Sequence, residues 1–564
     1  MSRILTPAIS PVMPSTPIRA RSRWFQAALS RSRPALRVLY RSQFRSDEGS
    51  IPTNRRGVLA LLAGATLGAT KARSAAASGA VACARSAGEI RAAVVPSDYS
   101  FECGDVRRYG MSVNASPAEN TAALQRCLNA NAGSTTVVSA ADGDYRLSGR
   151  ISAPSKTSIA LGRGARLRWT STEPTGTAFL GSPTRPGIEV LGDDFRLYGA
   201  GELVGPSQGA YVVNEIGVLC IGASAIAPRS GISISDEVEL SNWGSRAITM
   251  QFATGIRISG IKIRNCGYGG MQFLSCSLGQ IQSNTVGDIG PGASGNAYGI
   301  SCSHDSRNYG ADPNATVNGR RVAHPFCSDF DVGFNVVHDI PLWVGIDFHG
   351  AYECRAHDNK VYNCRHGILI QGSSGMAVDF AGEHNSIIGN SITTQRMNGE
   401  PTTISEVTRL GISINGGKVV PHRSISVREN VIDGYGDSKN TSFSLQHTYT
   451  TDVDISNNRI TNWSGYGCYS AHSQGVIRGN DFGPVADSRS SACIMVAIDG
   501  RLDIIGNRHA VEAGRAAMYG LVINSPTDAP YLIQNNDFRS ATVQQYAGHS
   551  GVRLSPSQIQ GGAP

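Results

Sequence analysis

An asparagine returns at short intervals through the second half of this chain, at Asn284, Asn335, Asn359, Asn390, Asn430, Asn458, Asn480, Asn507 and Asn536. Asn335 and Asn359 lie 24 residues apart, Asn458 and Asn480 lie 22 apart, and the wider gaps imply inserted loops. Self-similarity at this period marks a solenoid, whose repeats bury their apolar faces only against one another. Asn suits the turn of each coil because it tolerates a left-handed backbone and its amide can bond the next coil. A second repeat of glycine followed by an apolar residue runs alongside, at Gly270-Met271, Gly299-Ile300, Gly345-Ile346, Gly367-Ile368 and Gly411-Ile412. Ten or so coils stacked at roughly 4.8 Å make a rod of about 50 Å. The chain length thus goes into one continuous core.

Composition supports strands over helices. There are 65 Gly among 564 residues, charged residues make up only 17%, and no sustained Glu/Lys/Ala/Leu periodicity runs through the chain. Helical bundles and coiled coils are excluded on that basis. One helix is signalled near the start, where Ser116-Pro117-Ala118-Glu119 is a capping box and Leu124, Cys127 and Leu128 form an apolar stripe.

The net charge of +8 is unevenly placed. Residues 1–76 hold thirteen Lys/Arg against Asp47 and Glu48, a surplus of eleven that leaves the remainder at −3. A nearly neutral body has no footprint for nucleic acid. Thr53-Asn54-Arg55-Arg56-Gly57-Val58-Leu59 resembles the bacterial twin-arginine export motif, and an apolar stretch from Val58 to Ala69 follows it. That stretch is shorter than the roughly 20 residues a membrane span needs. The organisation expected is a leader over 1–76, a β-helix domain over 77–545 and a polar tail over 546–564. Within the domain, 77–250 form the cap and first coils and 250–545 the repeats. The location expected is periplasmic or secreted. An organelle transit peptide is the alternative, because residues 1–46 are rich in Arg and Ser and lack acids. All twelve Cys follow the leader; Cys302 and Cys327 bracket a long polar excursion and are the best candidates for a bridge.

Asp105 to Gly110, Thr121-Ala122-Ala123-Leu124-Gln125 and Val138 to Leu147 together resemble the opening of the pectate-lyase-like superfamily, which includes rhamnogalacturonase- and epimerase-type proteins. The resemblance implies an all-β fold, a single-stranded right-handed parallel β-helix whose N-terminal helix covers the open end. It also implies a polysaccharide substrate.

Registering the glycine-led strands locates a candidate site. Alternation along a strand turns Ile346 and Phe348 inward and Asp347 and His349 outward. Ser301 lies on the coil before, Gln371 on the coil after, and Asn415 one coil further. His304 and Asp305 end the preceding strand, Arg365 and His366 open the following one, and Tyr298 precedes Gly299. In such a group His349 would withdraw a proton beside a uronate carboxylate, Arg365 would neutralise that carboxylate, and Tyr298 or His366 would protonate the glycosidic oxygen. Asp347 and His349 complete the catalytic set; His304, Asp305, Gln371, Ser301 and Asn415 would bind substrate. Val344-Gly345-Ile346-Asp347-Phe348-His349 is similar to the signature of mannuronan C5-epimerases, and His366-Gly367-Ile368-Leu369-Ile370 to a strand of polygalacturonase-type hydrolases.

The function expected is modification of a uronate-containing polysaccharide by β-elimination or C5-epimerisation. A glycoside hydrolase and a non-catalytic glycan-binding rod are the rivals. Tyr449, Trp463, Tyr466 and Tyr469 are candidates for sugar-stacking platforms, and the excursion from Ser303 to Phe326 for a groove wall. No cofactor is required, no dense acidic loop demands a metal, and calcium stays open. No membrane span is expected, and the oligomeric state is undefined.

Overall fold

The computed structural model describes residues 83–548 and 559–560, apart from 135–137, 180–181, 225–226, 291–294, 305–315, 318–319, 322–326, 373–380, 405–407, 437–442, 488–490, 498–499, 513 and 525–531. The expected leader, Asp305 and most of the Ser303–Phe326 excursion lie outside these residues. No helix among the described residues is long and apolar enough to cross a membrane.

The body is a right-handed parallel β-helix within one compact unit, Ala80–Pro564. Each coil lays one strand on a sixteen-stranded parallel sheet, turns at the repeated Asn, and lays two more on a second, larger sheet. In one such coil these strands are Ser277–Gln282, Thr285–Ile289 and Tyr298–Ser303. Pairing is in register from coil to coil, so residues of one type stack above one another: Met271, Ile300, Ile346, Ile368, Ile412 and Leu445 form one inward column. All are buried in a single apolar cluster. At two successive coils the second-sheet strands fuse into Val336–His349 and Lys360–Gln371, with a bulge between Ile340 and Val344. Paired strands continue through Gln544–Gly548 and Ile559–Gln560, into the stretch expected to be a tail.

The repeated asparagines form a spine. The Oδ1 of Asn359 accepts from the backbone N–H and the Nδ2 of Asn335, both at 3.0 Å. Its own Nδ2 donates to Val332 C=O and to Asn390 Oδ1, each at 2.9 Å. The same pattern runs from Asn284 to Asn536. The sequence reading needs one correction here. The left-handed bend falls on the residue before each Asn, at φ 58° in Phe334, 52° in Asp358 and 60° in Glu429. The asparagines are inside the turn, buried and fully bonded. The glycine column has a steric cause: a Cβ on Gly299, Gly345 or Gly367 would run into the carbonyl oxygen of the glycine on the next coil.

The capping helix α1, Ala87–Arg91, is short; α2, Pro117–Ala130, is the one the sequence predicts, with Ser116 and Glu119 closing the capping box. Leu124, Cys127 and Leu128 are buried as its stripe requires. Arg108 is buried as well: its Nε donates to Glu89 Oε1 at 2.6 Å, both side chains being fully inaccessible, and Tyr109 Oη donates to the same oxygen at 2.9 Å. Cys302 and Cys327 are both free and buried, correcting the expected bridge; they act as small apolar residues in the core.

Two predictions follow from these contacts. Asn359→Leu removes the acceptor of the Asn335 backbone N–H, the side-chain donor to Val332 C=O and one bond from each of the Asn335 and Asn390 amides, and should cost about 3 kcal/mol in urea unfolding. Burial alone would raise the Glu89 carboxyl, but hydrogen bonds from Arg108, the Ser86 N–H and Tyr109, with the Arg108 charge, together outweigh it and hold the pKa at about 2 against an ordinary 4.5. A depressed carboxyl contributes stability above its unfolded value and loses it as pH falls. Wild type should therefore lose cap stability between pH 4.5 and about 2, whereas Glu89→Gln should already be weaker at neutral pH by roughly 3–5 kcal/mol and lack that acid phase.

Candidate active site

The strand Val336–His349 presents its last residues in strict alternation. Ile346 and Phe348 enter the core, and Asp347 and His349 point away from it. Asp347 stands in register between Ser301 and Leu369, and His349 beside Gln371 and then Asn415. Although it points away from the core as the alternation requires, Asp347 is wholly inaccessible, and of the pair only the imidazole reaches water, at 21% exposure. Asp347 Oδ2 lies 3.6 Å from His349 Nδ1 and accepts from Ser301 Oγ at 3.4 Å. Its Oδ1 is buried and, among the described residues, has no hydrogen-bond partner. A carboxylate in that state is costly, and buried polar atoms in native proteins are rarely left so.

Of the other expected residues, His304 meets this pair, while Tyr298 stands three residues along the strand, in register with Val344. The His304 ring lies edge-on to His349 with centroids 6.0 Å apart. Tyr298 is half-buried and its Oη accepts from Asn296 Nδ2 at 3.3 Å. Burial, then the negative charge of Asp347, pushes the Tyr298 hydroxyl well above its ordinary value, so it stays protonated and able to donate.

Arg365 and His366 do not join them. They sit at the opposite end of their strand, where His366 pairs with Val344 rather than His349. The Arg365 guanidinium donates to Thr408 C=O at 3.1 Å and covers the Trp343 ring at 5.2 Å. Burial, with the Arg365 charge adding, pushes the His366 pKa down to about 3. A neutral imidazole of that kind cannot serve as a general acid near pH 7. The sequence placed these residues by coil number alone and could not see the corner at Trp343. Gln371 is half-buried beside His349, while the exposed Asn415 accepts from Thr448 Oγ1 at 2.9 Å. Of the aromatic candidates, Trp463 is buried in the core. Tyr466 and Tyr469 stack on Phe443, and Tyr449 stacks on His472.

The outward column continues N-terminally from Ser301 to Gln272 and Thr249, and Thr249 was not visible from the glycine repeat. The strand Arg246–Gln251 belongs to the series, but Ala247 stands where the later coils have glycine. Thr249 Oγ1 and Gln272 Oε1, like Asp347 Oδ1, are buried without a partner among the described residues. Elsewhere, Asp288, His338 and Asp339 bring three potential metal ligands within 4.8 Å of one another. Asp339 is already engaged there by Arg396 at 3.1 Å and Asn363 at 2.6 Å.

If Asp347 is kept for chemistry rather than for the fold, removing its charge should not weaken the protein. Asp347→Asn is expected to unfold at the same or higher urea concentration, with a gain of up to about 2 kcal/mol.

No family model and no curated protein sequence matches the chain. Solved structures do. The bacteriophage phi29 gene product 12 is 11% identical over 75% of this chain, with a TM-score of 0.51; the chain spans about half of that protein, 54% of its length. A surface adhesin of Streptococcus pneumoniae is 12% identical, covering 80% of this chain and 96% of its own, with a TM-score of 0.48. A family 28 exopolygalacturonase of Yersinia enterocolitica is 11% identical, covering 71% and 77%, with a TM-score of 0.41. At these identities the likeness is one of fold.

Proposed function

We propose that this protein is exported and modifies a polysaccharide, with His349 and Asp347 as the proton-transfer centre. The observation that carries this reading is the Asp347 carboxylate, sealed from water, lacking a partner at Oδ1 and 3.6 Å from an imidazole that is itself open to solvent. A buried polar atom left without a partner in a native protein calls for a reason, and chemistry at the site is one. His349 takes the proton from the sugar carbon beside a carboxylate, Asp347 stabilises the imidazolium that results, and Tyr298 holds a proton for the leaving oxygen. That sequence is β-elimination; return of a proton to the opposite face of the same carbon is epimerisation. Hydrolysis is less well supported. It needs two carboxylates flanking the bond, and on this strand face the described outward positions of the coils on either side offer Asp347 alone.

Incubation with a panel of acidic and neutral polysaccharides in D2O tests the reading. Elimination gives an ultraviolet-absorbing unsaturated uronate, hydrolysis gives reducing ends without it, and epimerisation gives neither but places deuterium in the sugar. Asp347→Asn and His349→Gln should each lower the rate by about a hundredfold or more. Unaltered rates in both variants, or no change in any polymer, would sink the proposal.

A further inference from the structure

Arg246 opens the strand Arg246–Gln251, three rungs before the strand that carries Asp347. It is only 5% exposed. Nη1 donates to Ser245 Oγ at 2.9 Å, and Nε has no partner. Its guanidinium carbon lies 4.4 Å from the centre of the Tyr268 ring and 5.2 Å from that of Phe179. Tyr268 continues a row of rings, with Tyr211 at 6.1 Å on one side and Tyr298 at 5.5 Å on the other.

No carboxylate among the described residues neutralises this cation. Glu215 is the acid on the adjacent strand, and its two oxygens are taken by Gly244 N–H at 2.7 Å and Thr172 Oγ1 at 3.2 Å. Glu189, one coil further, is taken by Arg150 and Thr177. A buried guanidinium held by neutral hydroxyls, those of Ser245 and Tyr268, and two aromatic faces is under-compensated, because these supply only part of what hydration or a carboxylate provides. Its planar fork of donors fits a carboxylate or a sulfate. Between Arg246 and Asp347 the same face carries Thr249 Oγ1 and Gln272 Oε1, both buried and unpartnered. Three rungs of about 4.8 Å set the strands of Arg246 and Asp347 roughly 14 Å apart, the reach of a short oligosaccharide.

We propose that Arg246 is an anion subsite that holds a carboxylate or sulfate group of the polysaccharide, with Thr249 and Gln272 further along the strands meeting sugar hydroxyls, while a distant sugar of the same chain meets His349 and Asp347. This rests on the reading of the protein as polysaccharide-modifying and narrows the substrate class to acidic polymers. Rim tyrosines and the arginine would then bind, and the His349–Asp347 pair would react.

Titration calorimetry with oligogalacturonate, oligomannuronate and chondroitin sulfate oligomers tests it, alongside their carboxyl-reduced and desulfated forms. An anionic oligomer should bind at least tenfold more tightly than its neutral form, with affinity falling as salt rises. Loss on carboxyl reduction identifies a uronate as the source, and loss on desulfation a sulfate. Arg246→Gln should weaken binding at least tenfold and remove the difference between charged and neutral forms; Arg246→Lys should recover part of it. Gln272→Met, which leaves the arginine in place, gives a second reading should Arg246→Gln not fold, and should weaken binding severalfold. Asp347→Asn should bind as wild type does while losing turnover. Equal binding of charged and neutral oligomers, no binding of any anionic probe, or wild-type affinity in a folded Arg246→Gln overturns the subsite. Arg246-dependent binding without change to any polymer would instead sustain the subsite and remove the assignment of an enzyme.

Discussion

From Asn284 onward the coils of this fold hang on the asparagine spine. A parallel coil gains its inter-strand hydrogen bonds only if each turn returns the chain to the same height and register. Buried turns carry backbone groups that must find partners, and water cannot supply them inside the helix. The stacked amides solve both problems, because Asn359 accepts twice from the coil before and donates to the coil after and to Val332. The burden of the left-handed backbone is shifted onto the preceding residue, which faces solvent and varies freely from Gly389 to Phe334 and Glu429. Register then propagates to the other faces, and with it the columns that bring Ser301, Asp347 and Leu369 to one height.

The candidate site is made from outward positions of this regular lattice, and the lattice explains its chemistry. Core packing and strand pairing require Ile346, Phe348 and Gly345; they ask nothing of Asp347. An outward residue on such a strand is ordinarily hydrated. Here it is sealed, and the cost of sealing a carboxylate without a full set of donors is left uncompensated. His349, one alternation further, stays open to water and lies within reach of the same carboxylate. In the proposed reaction the buried acid stands behind the imidazole that meets the sugar.

Much of the fold was legible because it is periodic. The Asn and Gly repeats place coil after coil, and the Ser116–Glu119 box places α2 to the residue. The inward and outward parity of Ile346, Asp347, Phe348 and His349 followed from alternation alone. What periodicity cannot supply is cover. Whether Asp347 meets water depends on what lies over it, and Trp463 is likewise buried by side chains from other coils. Corners are equally hidden: Arg365 and His366 are near Asp347 in coil number, but the bulge at Ile340–Val344 and the Trp343 ring hold them aside. Arg246 was missed because Ala247 breaks the glycine signal, and the buried pair Glu89–Arg108 because its partners are nineteen residues apart with no shared pattern.

The glycine column has a consequence beyond its own packing. Gly299, Gly345 and Gly367 let backbone meet backbone here, and the in-register strand pairing sets the pitch of the outward columns. Those columns are therefore a ruler with evenly spaced marks. A bound polymer whose own repeat is commensurate with the marks meets equivalent groups at successive coils, whereas one that is not drifts out of step within a few units. Selection by repeat length would then be written into the backbone, out of reach of any substitution at the groove surface.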